Sequence, residues 1–173
     1  MKFVEIKARG YNKMNQKTPL IIRNAVRAVL FDNQNKVAVL EVNGDGGIYY
    51  KIPGGTIEQG ETEIQAYDRE MQEEAGCKVK IIKELGTHEF IVKKRNKQYK
   101  SKVFLAKVSG EKLQPKFDDW ENKRGFKLLW LDKSDALQKV SNIKTTNNYE
   151  IIIQKRDGDF LKKGIEIVNR MEN

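Results

Sequence analysis

Three glutamates, Glu70, Glu73 and Glu74, stand at i, i+3 and i+4 in a stretch without proline or glycine from about Thr62 to Ala75. On a helix this spacing crowds their carboxylates onto one face, where like charges repel by roughly 0.2–0.5 kcal/mol per pair. A plain surface helix has no need of that arrangement. A hard divalent cation does, because Mg2+ or Mn2+ takes carboxylate oxygens and keeps several of its waters. Arg69 lies four residues before Glu73, within reach to orient it. The Gly54-Gly55 pair lets the backbone come close to such an ion, with the Gly55 carbonyl as a further candidate ligand. The other reading of the same residues is a solvated acidic helix after an ordinary turn.

The wider frame separates the two. Gly55, Glu61, Arg69, Glu70, Glu73, Glu74 and Gly76 follow the order G, five residues, E, seven residues, R-E, an apolar residue (Met71), any residue, E-E, any residue, G. The stretch from Gly55 to Cys77 thus resembles the signature box of the Nudix hydrolases at all of its fixed positions. At about 7% usage per residue type, chance would give this on the order of 10⁻⁸ times per window. Cys77 takes a final position that is usually aliphatic, which a buried thiol can fill.

The resemblance implies an α/β fold: a Nudix-like α/β/α sandwich with a mixed sheet and extra helices at the C-terminus. It implies attack of a metal-bound water on a pyrophosphate phosphorus, with Mg2+ or Mn2+ neutralising charge. Glu70, Glu73 and Glu74 are then the metal ligands and Glu73 the nearest candidate base. Arg69 orients, since its guanidinium stays charged. Glu121 stands a few residues before the strand 126–131, where relatives often bring an acidic residue to the metal or supply the base. Tyr50, Arg27 and Trp120 are the candidate substrate-binding residues. Tyr50 has two readings, a base-stacking ring or a core filler, and the second is preferred.

The elements that must position these groups can be read in chain order. In the box helix, Glu61 to Glu63 put negative charge at the first turn, Gly76 is placed to stop the last, and Ile64, Tyr67, Met71 and Ala75 form an apolar stripe. Residues 3–8 alternate as a short edge strand, and 9–19 read as a loop. Leu20 to Phe31 is a buried strand that turns at 32–35 into Lys36 to Val42 as a hairpin. Asn43 to Gly47 reads as a flexible loop and Ile48 to Pro53 as a short strand. Lys78 to Val92 is a long strand interrupted near Gly86, and Val103 to Val108 returns alongside it. Between them, the basic segment 93–102 is either a solvated tip or a lure for phosphates and RNA. Residues 111–125 read as a loop, 126–131 as a strand with Trp130 in the core, and 132–137 as the start of a short helix. The pattern over 147–171 is helical, with Gly158 expected to split it. His88, the only histidine, reads as structural or exposed.

With 173 residues, one domain with a full core is expected, its centre at about 20–140 and a helical extension at 147–171. Lys and Arg number 33 against 24 Asp and Glu, a net charge of +9 that suits a polyanionic partner. One cysteine excludes an internal disulfide and agrees with a reducing compartment, so a cytoplasmic protein is expected. MKFVEIKARG is too charged for a secretory signal, and apolar runs stop at four or five residues, so no membrane span is expected. The expected substrate is a nucleoside triphosphate, with an oxidised purine such as 8-oxo-dGTP as one form, cleaved to a monophosphate and pyrophosphate by a monomer or homodimer. An RNA 5′-end or cap pyrophosphohydrolase, an RNA-binding protein and a non-catalytic nucleotide sensor are the alternatives. Relatives acting on ADP-ribose, on dinucleoside polyphosphates or on RNA 5′ ends often carry a proline after the box, a tyrosine there, or a glutamine before the paired glycines. None of these stands in the corresponding place here.

Overall fold

The computed structural model describes residues 4–6 and 19–172. Its strands are β1 (Val4–Ile6), β2 (Ile21–Phe31), β3 (Val37–Gly44), β4 (Gly47–Lys51), β5 (Cys77–Val92), β6 (Lys97–Lys112) and β7 (Lys127–Leu131). Its helices are α1 (Glu63–Ala75), α2 (Asp119–Lys123), α3 (Lys133–Ser141) and α4 (Asn148–Glu172), and a 3-10 turn at Lys93–Arg95 joins β5 to β6. The strands form one mixed sheet in the order β1-β5-β6-β2-β3-β4, with β7 on β3. Of the expected edge strand 3–8, residues 3, 7 and 8 lie outside the described residues, as does most of the loop 9–19.

The feature that makes the site is a split beside β2. The expected β2–β3 hairpin pairs only at Phe31 and Val37. β2 instead runs parallel to β6 along its whole length, from Ile21 opposite Lys97 to Phe31 opposite Lys107. The chain leaving β4 fills the gap on the other edge. Ala28 N–H donates to Pro53 O (3.0 Å), Val26 N–H to Gly55 O (3.0 Å) and Ile57 N–H to Asn24 O (2.9 Å). Backbone donors that a hairpin partner would have met are met by the glycine turn, which is thereby fixed against the middle of the sheet.

Each face of the sheet has its own core. Val26, Ala28 and Leu30 pack with Ala66, Tyr67, Met71 and Ala75 of α1. The alternate residues Val29 and Phe31 pack with Ala136 and Val140 of α3 and Leu161, Ile165 and Val168 of α4. A strand covered on both sides reads as a continuous apolar run, as β2 does. The result is the expected mixed sheet between helices.

The departures from expectation are local. Residues 43–47 are a tight turn between β3 and β4 rather than a flexible loop. Asp45 N–H (2.7 Å) and Gly46 N–H (3.2 Å) donate to the buried Glu150 carboxylate of α4. Residues 111–125 hold the short helix α2, capped at Asp118. Gly158 does not divide α4, since an interior glycine costs only about 1 kcal/mol against the packing of a long apolar face. Gly164 serves that packing, because a Cβ there would lie 2.7 Å from Val29 Cγ1. Ile64 leaves the expected stripe and is 52% exposed, its place taken by Ala66. Trp130 is half-buried, with the Lys112 ammonium 4.4 Å from its ring.

Candidate active site

α1 starts at Thr62, whose hydroxyl accepts from Gln65 N–H while the Gln65 side chain accepts from Thr62 N–H, and ends at Gly76 in the left-handed region (φ 63°). Packing of Ala66, Tyr67, Met71 and Ala75 against the sheet fixes the helix's rotation. Glu70 and Glu74, one turn apart, are turned inward and buried, with Glu74 only 1% exposed. Glu73 is turned outward, its side chain 44% exposed. The three glutamates therefore do not share one environment.

Arg69 ties the outer half together. Its Nε and Nη2 donate to the two oxygens of Glu61 (2.8 and 2.9 Å), Nη1 donates to Glu70 (2.9 Å) and Glu73 (3.0 Å), and Nη2 also reaches Thr56 O (3.0 Å). Glu61 is held well below the usual carboxylate range by these bonds and by its own bond from Glu58 N–H, with a pKa of about 2. One planar fork so fixes the turn to the helix and two box glutamates to each other. Glu73 and Arg69 border an open groove of about 790 Å³ that also takes in Leu113 and Lys116.

The inner half centres on Gly54. Its N–H donates to Glu74 Oε2 (2.5 Å), and its carbonyl accepts from Arg27 Nη1 (2.6 Å) and Lys51 Nζ (3.5 Å). Lys51 Nζ also donates to Glu74 Oε1 (2.8 Å) and lies 4.8 Å from the centre of the Phe126 ring. The Gly55 carbonyl points away, into the bond from Val26 N–H. What Gly55 contributes is its missing side chain, because a Cβ would sit 2.3–2.6 Å from the Glu70 carboxylate. Gly54 is glycine for a different reason: its φ is +130°, and a Cβ would meet Val26 O at 2.2 Å.

Burial, then the nearby Glu74 charge, push Glu70 up to about 7. Burial first, and Glu74 among the other causes, push Glu121 up to about 7 as well. Glu121 reaches this position from α2, where it closes the capping box by accepting from Asp118 N–H (2.9 Å). Glu70, Glu74 and Glu121 are hard oxygen donors in a partly desolvated pocket, with the Gly54 carbonyl beside them, and this donor set fits Mg2+ or Mn2+. Among the described residues no three such side chains converge tightly enough to hold an ion as they stand. The cations now in place are side chains, Lys51 on Glu74 and Arg69 on Glu70 and Glu73.

A pH dependence follows. A carboxyl whose folded pKa exceeds its unfolded value binds more protons in the folded state between those values, so stability falls as pH rises from about 4.5 to 7. A divalent ion needs the ionised forms, so its affinity is expected to rise from pH 6 to pH 8 with release of protons on binding. Titration calorimetry of Mn2+ in two buffers of different ionisation enthalpy measures both. A pH-independent affinity with no proton release would show that neither Glu70 nor Glu121 takes part.

Of the other candidates, Arg27 lies at the site through Gly54. Trp120 is 55% exposed on α2, edge-on to Phe126 at 5.7 Å. Tyr50 is not brought to the carboxylates. It neighbours Lys51, and adjacent strand residues face opposite ways. Its hydroxyl donates to Glu41 (3.0 Å) and its ring packs on the α3–α4 side. Sequence reasoning passed over Lys51, taken only as part of a strand, although a lysine three residues before the paired glycines was a visible signal. It also passed over Arg156 and Asp157 of α4. Their signal was Asp157 sitting midway between Ile153 and Leu161, four residues from each, where the apolar stripe calls for a core residue.

The model of the NUDIX domain matches residues 22–152. Among solved structures, the fold is similar to a NUDIX hydrolase from Nitrosomonas europaea (TM-score 0.58, 21% identity, 80% of this chain and 87% of that one). It is also similar to a MutT protein from Methanosarcina mazei Go1 (TM-score 0.56, 17% identity, 88% and 97%). A third likeness is to an Ap4A hydrolase of C. elegans in a binary complex (TM-score 0.59, 19% identity, 85% and 98%). At these identities the likeness is one of fold. No curated protein matches the chain.

Proposed function

Because the chain is a hydrolase of the NUDIX domain family, we propose that it is a divalent-metal-dependent pyrophosphohydrolase of nucleoside triphosphates, oxidised purines included, giving a nucleoside monophosphate and pyrophosphate. The observation that carries this reading is the set of carboxyls at the Gly54–Gly55 turn, the buried Glu70 and Glu74 with the half-buried Glu121, of which burial pushes Glu70 and Glu121 up to about 7. When bound there, Mg2+ or Mn2+ would neutralise phosphate charge and lower the pKa of an attacking water.

The side chains supply the rest. Glu74 and the Gly54 carbonyl form the inner wall. Arg69 holds Glu70 and Glu73 in fixed orientation, and Glu73 faces the open groove where a substrate can approach. Glu73 and Glu121 are the candidate bases for the attacking water. A pKa near 7 lets Glu121 both accept and return one near neutral pH.

A panel of nucleotides with Mg2+ and Mn2+, reading phosphate and pyrophosphate separately, tests the proposal. Nucleoside triphosphates are expected to disappear with release of pyrophosphate. Phosphate alone, or no cleavage of any nucleotide, would overturn it. Steeply salt-dependent RNA binding with free nucleotides left intact would point to RNA 5′ ends instead.

A further inference from the structure

Lys51 ends β4 at the inner half of the site, in surroundings that do not favour a charge. Its cross-strand neighbour on β3 is Leu40, the Phe126 ring centre lies 4.8 Å from its ammonium, and the residue is only 9% exposed. A buried ammonium is held only where charge and hydrogen bonds offset its lost hydration, and an apolar side chain of similar volume is often the more stable choice. The acceptors that hold this one are two that the turn and the helix also offer to a metal. They are Glu74 Oε1 (2.8 Å) and the Gly54 carbonyl (3.5 Å). The other oxygen of Glu74 takes the Gly54 N–H (2.5 Å).

Mg2+ binds oxygen at about 2.0–2.1 Å, and Mn2+ takes the same class of ligand. An ion taking both of those oxygens would be pressed against the ammonium, cation against cation. Of the two donors on Glu74, the Gly54 N–H is fixed by the backbone of the turn. Lys51 reaches in on a flexible four-carbon stem and can withdraw. Its charge acts on the other carboxyls as well. Burial pushes Glu70 and Glu121 up to about 7, and Lys51 is among the charges that pull both back down. One ammonium thus does weakly for all three carboxyls what a divalent ion does strongly.

We propose that Lys51 is a resident cation that competes with the divalent ion for Glu74 and the Gly54 carbonyl, and so sets the ion concentration at which the site fills. The proposal rests on the reading of the chain as a metal-dependent hydrolase. Competition and a purely structural role differ in sign. If Lys51 only supported the fold, its loss would weaken ion binding along with the rest of the site. If it competes, its loss strengthens ion binding, because Glu74 is left as a buried carboxylate that has lost its counter-charge.

Titration of the nucleotide-free protein with Mn2+ alone at pH 8, read by electron paramagnetic resonance of the free ion, tests this. Lys51→Met is expected to bind Mn2+ about 10- to 100-fold more tightly than the wild type. Lys51→Gln can still donate to Glu74 but carries no charge, so it is expected to move in the same direction, and it decides alone if Lys51→Met does not fold. In thermal unfolding, one fixed Mn2+ concentration should raise the midpoint of the variants by more than that of the wild type. An affinity unchanged or lowered in a folded variant would overturn the role of Lys51 while leaving the hydrolase reading to its nucleotide panel. Binding of Mn2+ by neither wild type nor variant would overturn both.

Discussion

Glu73→Gln is expected to lower turnover at least about a hundredfold with the unfolding midpoint unchanged, whereas Glu74→Gln is expected to lower both. The difference comes from burial. The Glu73 side chain is half-exposed and, among the described residues, bonds to Arg69 alone, which keeps Glu61 and Glu70 as partners when the charge at 73 is removed. Glu74 is the anion for Lys51, and both side chains are buried. Removing one partner of a buried pair costs about 3–5 kcal/mol. The low end applies here, because glutamine still accepts from Gly54 N–H and Lys51 still reaches the Gly54 carbonyl. Adding Lys51→Met to Glu74→Gln removes the stranded charge, and should restore most of the stability and none of the turnover. Denaturant unfolding and steady-state hydrolysis of the best panel nucleotide measure the two effects. If Glu73→Gln unfolded the protein, or Glu74→Gln kept its turnover, the box glutamates would be structural.

The second large effect is expected at Gly54→Ala, with a loss of about 3 kcal/mol or more of stability and of measurable turnover. The new Cβ would stand 2.2 Å from Val26 O and 2.6 Å from Arg27 Cα, with the backbone at φ +130°. Both are backbone atoms of β2, which the parallel ladder to β6 prevents from yielding. Any shift of the turn also moves the N–H that holds Glu74 and the carbonyl that holds Arg27. Gly60→Ala is the control. It too has positive φ (+89°), yet a Cβ there meets nothing within 4 Å, so it should cost only about 1–2 kcal/mol of backbone strain. Equal losses at the two positions would show that backbone strain, and not close approach, governs the turn.

The sequence by itself determined the family frame and its local mechanics. The seven box positions, the stop at Gly76 and the covered strand β2 all depend on residues near one another in the chain, where spacing maps directly onto geometry. The tertiary structure decided how the box residues divide. Inward or outward orientation on α1 depends on what α1 packs against, so Glu70 and Glu74 became buried and Glu73 did not. The Gly55 carbonyl, expected as a ligand, went instead to Val26 because β2 and β3 splay apart. Lys51, Glu121 and Arg27 meet Glu74 and Gly54 from three separate elements. Side chains that far apart in sequence have no spacing rule to announce them, and only the packing of helices on the two faces of the sheet brings them within hydrogen-bond reach.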